Sequence, residues 1–274
     1  MNNRRVRKLL PILFLVLTLG LLGLGVVTQR KPRFVWPNGK RASISFTFDD
    51  ARPSQVDNGR GIFSRMGVKG TFYVLPGDVE RRLDAWRQMI ADGHEIANHS
   101  LVHPCSGNYT WSSENPLENY TIQQIEAELD KANQRIHQLL GVTPQSFAYP
   151  CGRTSLGRGR NARSYIPSVA AMFLTGRSAY DDTPNDPLLA DFAQLASVDM
   201  DEKSFERIEP LLKETLERGA WLILMGHEIN REGPQTTRVE VLERLLAYAQ
   251  APENGFWSAP VGVVAQYVQE NRAD

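Results

Sequence analysis

Short apolar strand patterns alternate with amphipathic helix patterns along most of this chain, and this alternation restricts the fold more than any other feature of the sequence. The first strand pattern, Ala42 to Phe48, places its large apolar residues on one face. The clearest helix pattern, Thr121 to Leu140, begins with a capping box of Thr121 and Gln124 and ends before Gly141. Strands that alternate with helices are typical of parallel βαβ units. The sequence therefore predicts an α/β fold with a parallel sheet.

The remaining patterns continue this alternation to the end of the chain. Further strands are predicted at Gly70–Leu75, His94–Asn98, Gln145–Tyr149 and Trp221–Met225, and further helices at Gly61–Met66, Val79–Ala91, Phe205–Arg218, Val239–Gln250 and Val261–Glu270. With 42% apolar and 23% charged residues, the chain has enough apolar surface for one large domain. Its formal net charge is zero, which argues against a nucleic-acid-binding protein.

An apolar run without charged residues extends from Leu9 to Val27. As a helix rising about 1.5 Å per residue, it spans roughly 28 Å, close to the thickness of a bilayer's hydrocarbon core. We therefore predict an N-terminal transmembrane helix within residues 1–31, a linker over 32–41 and one globular domain over 42–274. A cleaved signal peptide, which would make the protein secreted, is the alternative, but the run lacks a good small-x-small cleavage site.

The orientation of this segment is only weakly set by charge. Basic residues flank the apolar run on both sides, so the positive-inside bias is small. We expect a membrane-anchored protein whose globular domain lies outside the cytoplasm. A domain on the cytoplasmic side is the alternative.

Three clusters of polar side chains come directly after predicted strands. Asp49 and Asp50 follow the first strand, His99 and His103 follow the third, and His227 follows the strand that begins at residue 221. Because parallel strands place their carboxyl ends at one edge of a sheet, these side chains should lie close together. Imidazole nitrogen and carboxylate oxygen are the ligands that zinc and similar cations take. The sequence therefore predicts a metal site at this edge.

The same cluster could carry acid–base chemistry. Asp49 and Asp50 are adjacent at a strand end, so their side chains diverge and one can bind a cation while the other accepts a proton. His227 comes from a distant strand and can protonate a leaving amine. Of the two other histidines, His94 is predicted to be a packed structural residue and His137 to face solvent.

Four segments resemble the motifs of the polysaccharide deacetylase family, the NodB-homology domain also called carbohydrate esterase family 4. The segments are Thr47–Asp50 (TFDD), His99–His103 (HSLVH), Phe147–Gly152 (FAYPCG) and Leu224–His227 (LMGH). The resemblance covers roughly residues 40–270. It implies a distorted, incomplete (β/α) barrel and a metal-dependent deacetylase that hydrolyses carbon–nitrogen amide bonds.

The resemblance also assigns roles to the clustered residues. It implies that Asp49 is the catalytic base and that His227 is the general acid. Asp50, His99 and His103 would bind a divalent metal, which we expect to be zinc, with cobalt or nickel as alternatives.

The chain departs from the family pattern at two motifs. Ala148 stands where the family has an arginine that orients the catalytic aspartate, and Arg153 is a candidate replacement. A further family motif, an aspartate followed by a tryptophan, is poorly matched in this chain. Asp199 is the nearest match to its aspartate. Tyr149 and the backbone N–H of Cys151 are candidate contacts to the substrate or its oxyanion.

The two cysteines should approach the same rim of the site. Cys105 lies just past the second histidine motif, and Cys151 lies in the third motif. In an oxidising compartment a disulfide between them would join the two loops. Two unrelated thiols, or a cysteine metal ligand, are the alternatives. The long polar loop over 104–120 carries Tyr109 and Trp111, which could stack on a sugar or could pin the loop.

The resemblance implies removal of acetyl groups from N-acetylated amino sugars of an extracytoplasmic polysaccharide or glycan. The expected partners are that acetylated glycan and the membrane, without nucleic acid. One alternative is hydrolysis of a small non-sugar amide. Another, which the absent arginine suggests, is an inactive metal-containing carbohydrate-binding module.

Overall fold

A computed structural model describes residues 33–272 of the chain. The predicted transmembrane helix within residues 1–31 lies outside the described residues. Within residues 33–272, none of the helices combines the length and the apolar character needed to cross a membrane.

A curled parallel sheet forms the centre of the domain. Its eight strands are β1 (Ala42–Asp49), β2 (Thr71–Val74), β3 (Glu95–Asn98), β4 (Ser146–Ala148), β5 (Thr175–Arg177), β6 (Val198–Asp199), β7 (Trp221–Gly226) and β8 (Phe256–Ser258). Their order is β5-β4-β3-β2-β1-β7-β6, and β8 also pairs with β1. All pairs in this sheet are parallel. This half-barrel confirms the predicted α/β class and is consistent with an incomplete (β/α) barrel.

Helices connect the strands and cover the outside of the sheet. They are α1 (Arg60–Met66), α2 (Leu83–Ala91), α3 (Ile122–Leu140), α4 (Ile166–Met172), α5 (Phe205–Arg218), α6 (Val239–Gln250) and α7 (Val261–Asn271). The predicted capping box of Thr121 and Gln124 forms both of its hydrogen bonds, and Gly141 ends α3 in a left-handed conformation. The bounds of α5 and α6 agree with the prediction.

One predicted helix is wrong. The segment from Val79 to Ala91 is interrupted at Arg82, whose φ of -139° and ψ of 39° are not helical. A short helix, Pro76–Val79, and a 3-10 turn precede α2 instead. The interruption lets Val79 and Trp86 both reach the core, where each is fully buried.

The central strand β1 separates an apolar face from a polar one. On the apolar face, Phe46 and Phe48 pack edge-on against Phe63 of α1. On the opposite face, the buried hydroxyls of Ser45 and Thr47 donate to backbone carbonyls of adjoining segments. This polar row continues to the carboxyl end of the strand, where the functional side chains begin.

Candidate metal centre and acid–base site

The five predicted site residues meet in one cleft. Asp49, Asp50, His99, His103 and His227 all line a cavity of about 580 Å³ at the carboxyl edge of the sheet. The cavity therefore lies where parallel α/β sheets place their ligands.

Asp50, His99 and His103 are arranged as a set of metal ligands. Asp50 Oδ1 lies 3.4 Å from His99 Nε2 and 3.6 Å from His103 Nε2. One ligand atom from each residue lies within 4.8 Å of the other two. Asp50 Oδ1 is buried and has no hydrogen-bond partner among the described residues, which is costly unless a cation completes its contacts. The donor set therefore fits a divalent cation.

The backbone around His99 fixes the orientation of its ring. His99 Nδ1 lies 2.9 Å from the backbone carbonyl of Ala148. Because a carbonyl only accepts, Nδ1 carries the proton and Nε2 keeps a free lone pair towards Asp50. Such a partner behind a ligating histidine is common in metal sites.

The second histidine is presented by a turn that polar side chains hold in place. Asn98 Oδ1 accepts from the N–H of Ser100 at 2.6 Å, and Ser100 Oγ accepts from the N–H of His103 at 2.9 Å. Ser100 and His103 both have positive φ, 70° and 53°. Asp50 also has a positive φ, 74°. Such backbone strain concentrates at functional sites, where the surroundings hold it.

The ionisation of the ligands suits cation binding. Burial alone would raise the pKa of Asp50, but the neighbouring imidazoles of His99 and His103 favour its charged form and hold that pKa well below its usual range. Burial and the neighbouring charge of His99 lower the pKa of His103 to about 4. At neutral pH the set therefore offers a carboxylate and a neutral imidazole from His103.

Asp49 is held by an arginine that the sequence reasoning missed. The fully buried Arg177, at the end of β5, donates from Nη2 to Asp49 Oδ1. Arg177 Nη1 donates to the carbonyl of Ser178 at 2.7 Å, and the guanidinium lies 4.6 Å from the centre of the Tyr73 ring. Arg153, the predicted replacement, is exposed instead. The signal that could have found Arg177 is a basic residue at the end of a strand beside Ala148.

His227 is oriented by Asp201. His227 Nδ1 lies 2.7 Å from Asp201 Oδ2, and its backbone N–H donates to the same carboxylate. Burial opposes the charged imidazole, but the hydrogen bond that His227 donates to Asp201 and the charges of Asp49 and Asp50 raise the pKa of His227 to about 9. His227 is therefore protonated at neutral pH.

Asp199, the nearest sequence match to the family's aspartate, does not contact His227. Asp199 lies within β6, where its carboxylate accepts from the N–H of Asp201 at 3.1 Å and from Lys203 Nζ at 2.6 Å. Asp201 lies two residues past that position, beyond the end of the strand. There it approaches Gly226, whose missing side chain is required, because a Cβ would lie 2.8 Å from Asp201 Oδ1.

Gln55 joins the acid and the base through the backbone. It lies in a π-helical turn, Gln55–Gly59, and is fully buried. Its Nε2 donates to the carbonyl of Asp49 at 2.6 Å and to that of His227 at 2.9 Å. One side chain therefore ties the ends of β1 and β7 together.

In the third motif, Tyr149 and Cys151 both line the cleft, but the tyrosine hydroxyl already has a partner. The ring of Tyr149 is buried, and its hydroxyl donates to the carbonyl of Ala193 at 2.8 Å, so this side chain belongs to the core. Cys151 lines the cleft with a φ of 53°. The turn is closed by the N–H groups of Gly152 and Arg153, and neither bond uses the N–H of Cys151.

Cys105 and Cys151 form a disulfide, with Cα atoms 6.1 Å apart. Cys105 is fully buried, below the loop that follows His103. The bond joins the loop of the metal ligands to the turn of the third motif. The described structure therefore has neither cysteine among the metal ligands.

Three exposed aromatic side chains border the cleft. Tyr109 and Trp111 stack with ring centres 5.4 Å apart, and Trp111 lies 5.5 Å from the ring of His103. Tyr180 lines the cleft from the loop after β5. Trp111 and Tyr180 are 61% and 60% exposed, so their faces are open to a ligand.

The two remaining histidines behave as predicted. His94 is buried, lies edge-on to Phe63 and Phe72, and accepts from the N–H of Gly70 at 3.0 Å. Burial lowers the pKa of His94 to about 4. His137 is exposed on α3. Neither takes part in the site.

A buried cation-ligand set beside an acid and a base on a half-barrel is the arrangement of a hydrolytic metal site. Residues 37–165 match the family described as polysaccharide deacetylase. The match covers the segment that carries Asp49, Asp50, His99 and His103, and it places that segment in the polysaccharide deacetylase family.

Individual relatives agree with this assignment. The peptidoglycan-N-acetylmuramic acid deacetylase PdaA of Bacillus subtilis is 26% identical over 132 residues, which are 46% of this chain and 44% of that protein. The chain aligns with less than half the length of the curated relatives it matches, down to 10% in one case.

Two solved structures show the same fold. A Mycobacterium smegmatis protein assigned to the polysaccharide deacetylases has a TM-score of 0.64 and 17% identity, covering 87% of this chain and 93% of that one. The allantoinase PuuE also has a TM-score of 0.64, with 16% identity, covering 93% of this chain and 98% of that one. At these identities the likeness establishes the fold and does not distinguish sugar from non-sugar substrates.

Proposed function

We propose that this protein is a metal-dependent deacetylase that removes acetyl groups from N-acetylated amino sugars of a polysaccharide or glycan. One observation carries the proposal. Asp49 lies beside the ligand set of Asp50, His99 and His103, is held by Arg177 and is left outside the set. A carboxylate in that position can accept a proton during hydrolysis.

The ligand set would hold a divalent cation, with zinc as the ion we propose and cobalt or nickel as alternatives. Such a cation supplies Lewis acidity at the acyl carbonyl and a lowered pKa for water. The chain's own residues supply the proton transfers.

Asp49 is suited to act as the general base. Arg177 binds its Oδ1, while Asp49 Oδ2 lies 3.9 Å from His99 Nε2, on the side of the ligand set. Oδ2 is therefore the oxygen placed to take a proton from an attacking water. The guanidinium fixes the carboxylate in that orientation.

His227 is suited to act as the general acid. Asp201 holds Nδ1 and keeps the imidazole protonated, so Nε2 can give a proton to the leaving nitrogen. Cys151 lines the same cleft, and we assign its backbone N–H as the donor to the developing oxyanion. The acid, the base and the oxyanion donor come from three separate strand ends.

The rim of the cleft supports a glycan over a small amide. Sugar rings present apolar C–H faces that pack on aromatic side chains, and Tyr109, Trp111 and Tyr180 offer such faces beside the site. A small ureide or amide has no comparable apolar face to pack on these rings. The alternative of an inactive binding module was suggested by the absent arginine of the third motif, and Arg177 beside Asp49 removes that argument.

Metal analysis and acetate release test the proposal together. We expect purified protein to hold one equivalent of divalent metal and to release acetate from N-acetylated chitin oligosaccharides. Asp49→Asn should retain the metal and lose activity by roughly 100-fold or more, whereas Asp84→Asn, an exposed position on α2, should change neither. Protein without stoichiometric metal, or an Asp49→Asn variant with full activity, would refute the proposal. Release of ammonia or urea from cyclic ureides without acetate release would favour the small-amide alternative.

We also propose that the domain works outside the cytoplasm, anchored through the apolar run of residues 9–27 or secreted if that segment is cleaved. The disulfide between Cys105 and Cys151 supports an oxidising compartment. Protease added to intact cells or spheroplasts should digest the domain. A domain protected until the cells are lysed would place it in the cytoplasm instead.

A further inference from the structure

A short antiparallel hairpin over residues 153–164, here called the arginine hairpin, follows the Cys151 turn. It carries four exposed arginines, Arg153, Arg158, Arg160 and Arg163. Its one large apolar side chain, Leu156, is buried. The surface of the hairpin is therefore polar and basic.

These arginines differ from most others in the described part of the chain. Arg60, Arg135 and Arg244, for example, pair with carboxylates at 2.6 Å, 2.6 Å and 2.7 Å. Within residues 33–272, no carboxylate lies within salt-bridge distance of an arginine of the arginine hairpin. Since the formal net charge of the chain is zero, the hairpin is a local concentration of positive charge.

The hydrogen bonds of the arginine hairpin leave most of this charge available. Arg158 donates to the side chain of Asn119, and Arg163 donates to backbone carbonyls of the hairpin itself. The nearby carboxylate of Glu118 is already bound by Ser106 Oγ at 2.6 Å and by the N–H of Gly107 at 3.0 Å. These neutral partners position the guanidinium groups without neutralising them.

A second cavity, of about 390 Å³, lies between the start of the arginine hairpin and the loop that follows His103. Arg153 and hydroxyl-bearing neighbours line this cavity together with Glu118, while the other three arginines lie outside its lining. Consecutive residues of two loops line the two cavities: Cys151 and Tyr109 face the catalytic cleft, and Gly152 and Asn108 face the second cavity. A chain of sugars that leaves the cleft past Cys151 would enter the second cavity directly.

We propose that the arginine hairpin binds acidic groups, carboxylates or phosphates, on the glycan that extends out of the catalytic cleft. The proposal rests on the proposed function of that cleft. Guanidinium groups bind carboxylates and phosphates through paired hydrogen bonds, and hydroxyl side chains in the cavity suit the sugar that carries them. The hairpin exposes no large apolar side chain that could insert into a bilayer, which favours a glycan over a membrane surface.

Binding of two oligosaccharides of equal length by the metal-loaded protein tests the proposal. One is a neutral chitin oligosaccharide, and the other is a hyaluronan oligosaccharide, which carries a carboxylate on every second sugar. The hairpin variant replaces all four arginines with glutamine: Arg153→Gln, Arg158→Gln, Arg160→Gln and Arg163→Gln. The control variant makes the same charge change at exposed, paired positions: Arg65→Gln, Arg82→Gln, Arg87→Gln and Arg135→Gln.

We expect the hairpin variant to bind hyaluronan at least tenfold more weakly relative to chitin than the wild type does, and the control variant to differ less than twofold. The preference of the wild type for hyaluronan should decline with added salt. Inorganic polyphosphate, tested as a competitor, distinguishes the two sources of charge. Displacement of bound hyaluronan would show one site for both anions, and polyphosphate binding without hyaluronan binding would assign the hairpin to phosphate.

Three outcomes would overturn the proposal. The first is an equal loss of hyaluronan binding in the hairpin and control variants. The second is a wild type that prefers neither anionic polymer over chitin. The third is a hairpin variant that keeps its binding of both polymers and loses only binding to phosphatidylglycerol vesicles. Acetate release from the chitin oligosaccharide, measured on the same samples, separates the two proposals. Its absence with intact anion binding would refute the deacetylase and leave the hairpin site standing.

Discussion

Ala148 and Arg177 are register partners on the neighbouring strands β4 and β5. Ala148 occupies the position where the family pattern has an arginine, and Arg177 brings a guanidinium to Asp49 from one strand further along the sheet. The ion pair is fully enclosed, since Arg177 has no exposed surface and Asp49 is 4% exposed. Because both charges are out of water, each depends strongly on the other.

Replacement of Arg177 should therefore affect both stability and rate. We expect Arg177→Ala to lower the free energy of unfolding by roughly 3–5 kcal/mol, because it leaves a buried carboxylate without its cation. We expect kcat to fall about 100-fold, since Asp49 loses its orientation. Urea unfolding and acetate release measure the two effects, with Arg207→Ala on the exposed face of α5 as the control.

The register relationship gives a sharper test than the single variant. Because Ala148 lies beside Arg177, the double variant Ala148→Arg with Arg177→Ala returns a guanidinium to Asp49 from β4. We expect it to recover at least tenfold of the lost kcat. A folded, metal-loaded Arg177→Ala protein with wild-type kcat would show that the pair has no part in catalysis.

The pH dependence should identify Asp201 as the partner of His227. The raised pKa of His227 keeps the acid form populated below about pH 9, so activity should be lost as pH rises through that value. A bound cation opposes the positive imidazole and places this limb at or below pH 9. Asp201→Asn should move the alkaline limb of the kcat profile towards the ordinary histidine value of about 6.5 and lower kcat by about 10–100-fold.

Asp199→Asn is the matched control for that experiment, because it changes a carboxylate on the same segment that does not touch His227. Its alkaline limb should coincide with that of the wild type. The same limb in wild type and Asp201→Asn, or a shift caused by Asp199→Asn instead, would remove Asp201 from the proposed mechanism.

Gln55→Leu should remove the hydrogen-bonded link between the backbone at Asp49 and the backbone at His227. The variant keeps the size of the side chain and removes the N–H groups that reach the carbonyls of Asp49 and His227. Two buried carbonyls then lose a partner, at a cost of roughly 1–3 kcal/mol each. Metal content should remain at one equivalent while kcat decreases. A variant with unchanged stability and rate would show that the strand ends hold their spacing without this link.

The disulfide should contribute mainly to stability. Cys105 and Cys151 are separated by 46 residues, and closing a loop of that size stabilises a folded protein by up to about 4 kcal/mol. We expect Cys105→Ser with Cys151→Ser to unfold at a lower urea concentration. In denatured wild type, thiols should be detected only after reduction, and two free thiols before reduction would contradict the bond.

The sequence predicted the long elements and the clustering of Asp50, His99 and His103 well, for identifiable physical reasons. The helix of Ile122–Leu140 carries its own capping box and apolar stripe, so local chemistry defines it. Asp49 lies at the end of a strand with a clear apolar pattern, and His99 and His227 directly follow two other such strands. The strands β5, β6 and β8 have three residues or fewer and no apolar run, and they form only because neighbouring strands supply hydrogen bonds.

Two of the three missed site residues lie on those short strands or shortly after them. Arg177 ends β5, and Asp201 follows β6, so neither stood at the end of a predicted element. Gln55 reaches Asp49 and His227 only through tertiary contacts, which no local pattern encodes. Prediction failed where an element depends on the sheet around it.

In this protein the guanidinium that binds Asp49 comes from β5, whereas the family pattern has its arginine on β4. This difference has a consequence for how relatives of the protein are recognised. An alignment column compares the residues that different chains have at one position. Asp49 requires instead a positive group close to it in space, which can come from another position of the chain. Homologues that would be classed as degenerate because their third motif lacks arginine can retain the ion pair through a neighbouring strand. Surveys of such sequences should therefore inspect the adjacent strand before excluding them from the active members.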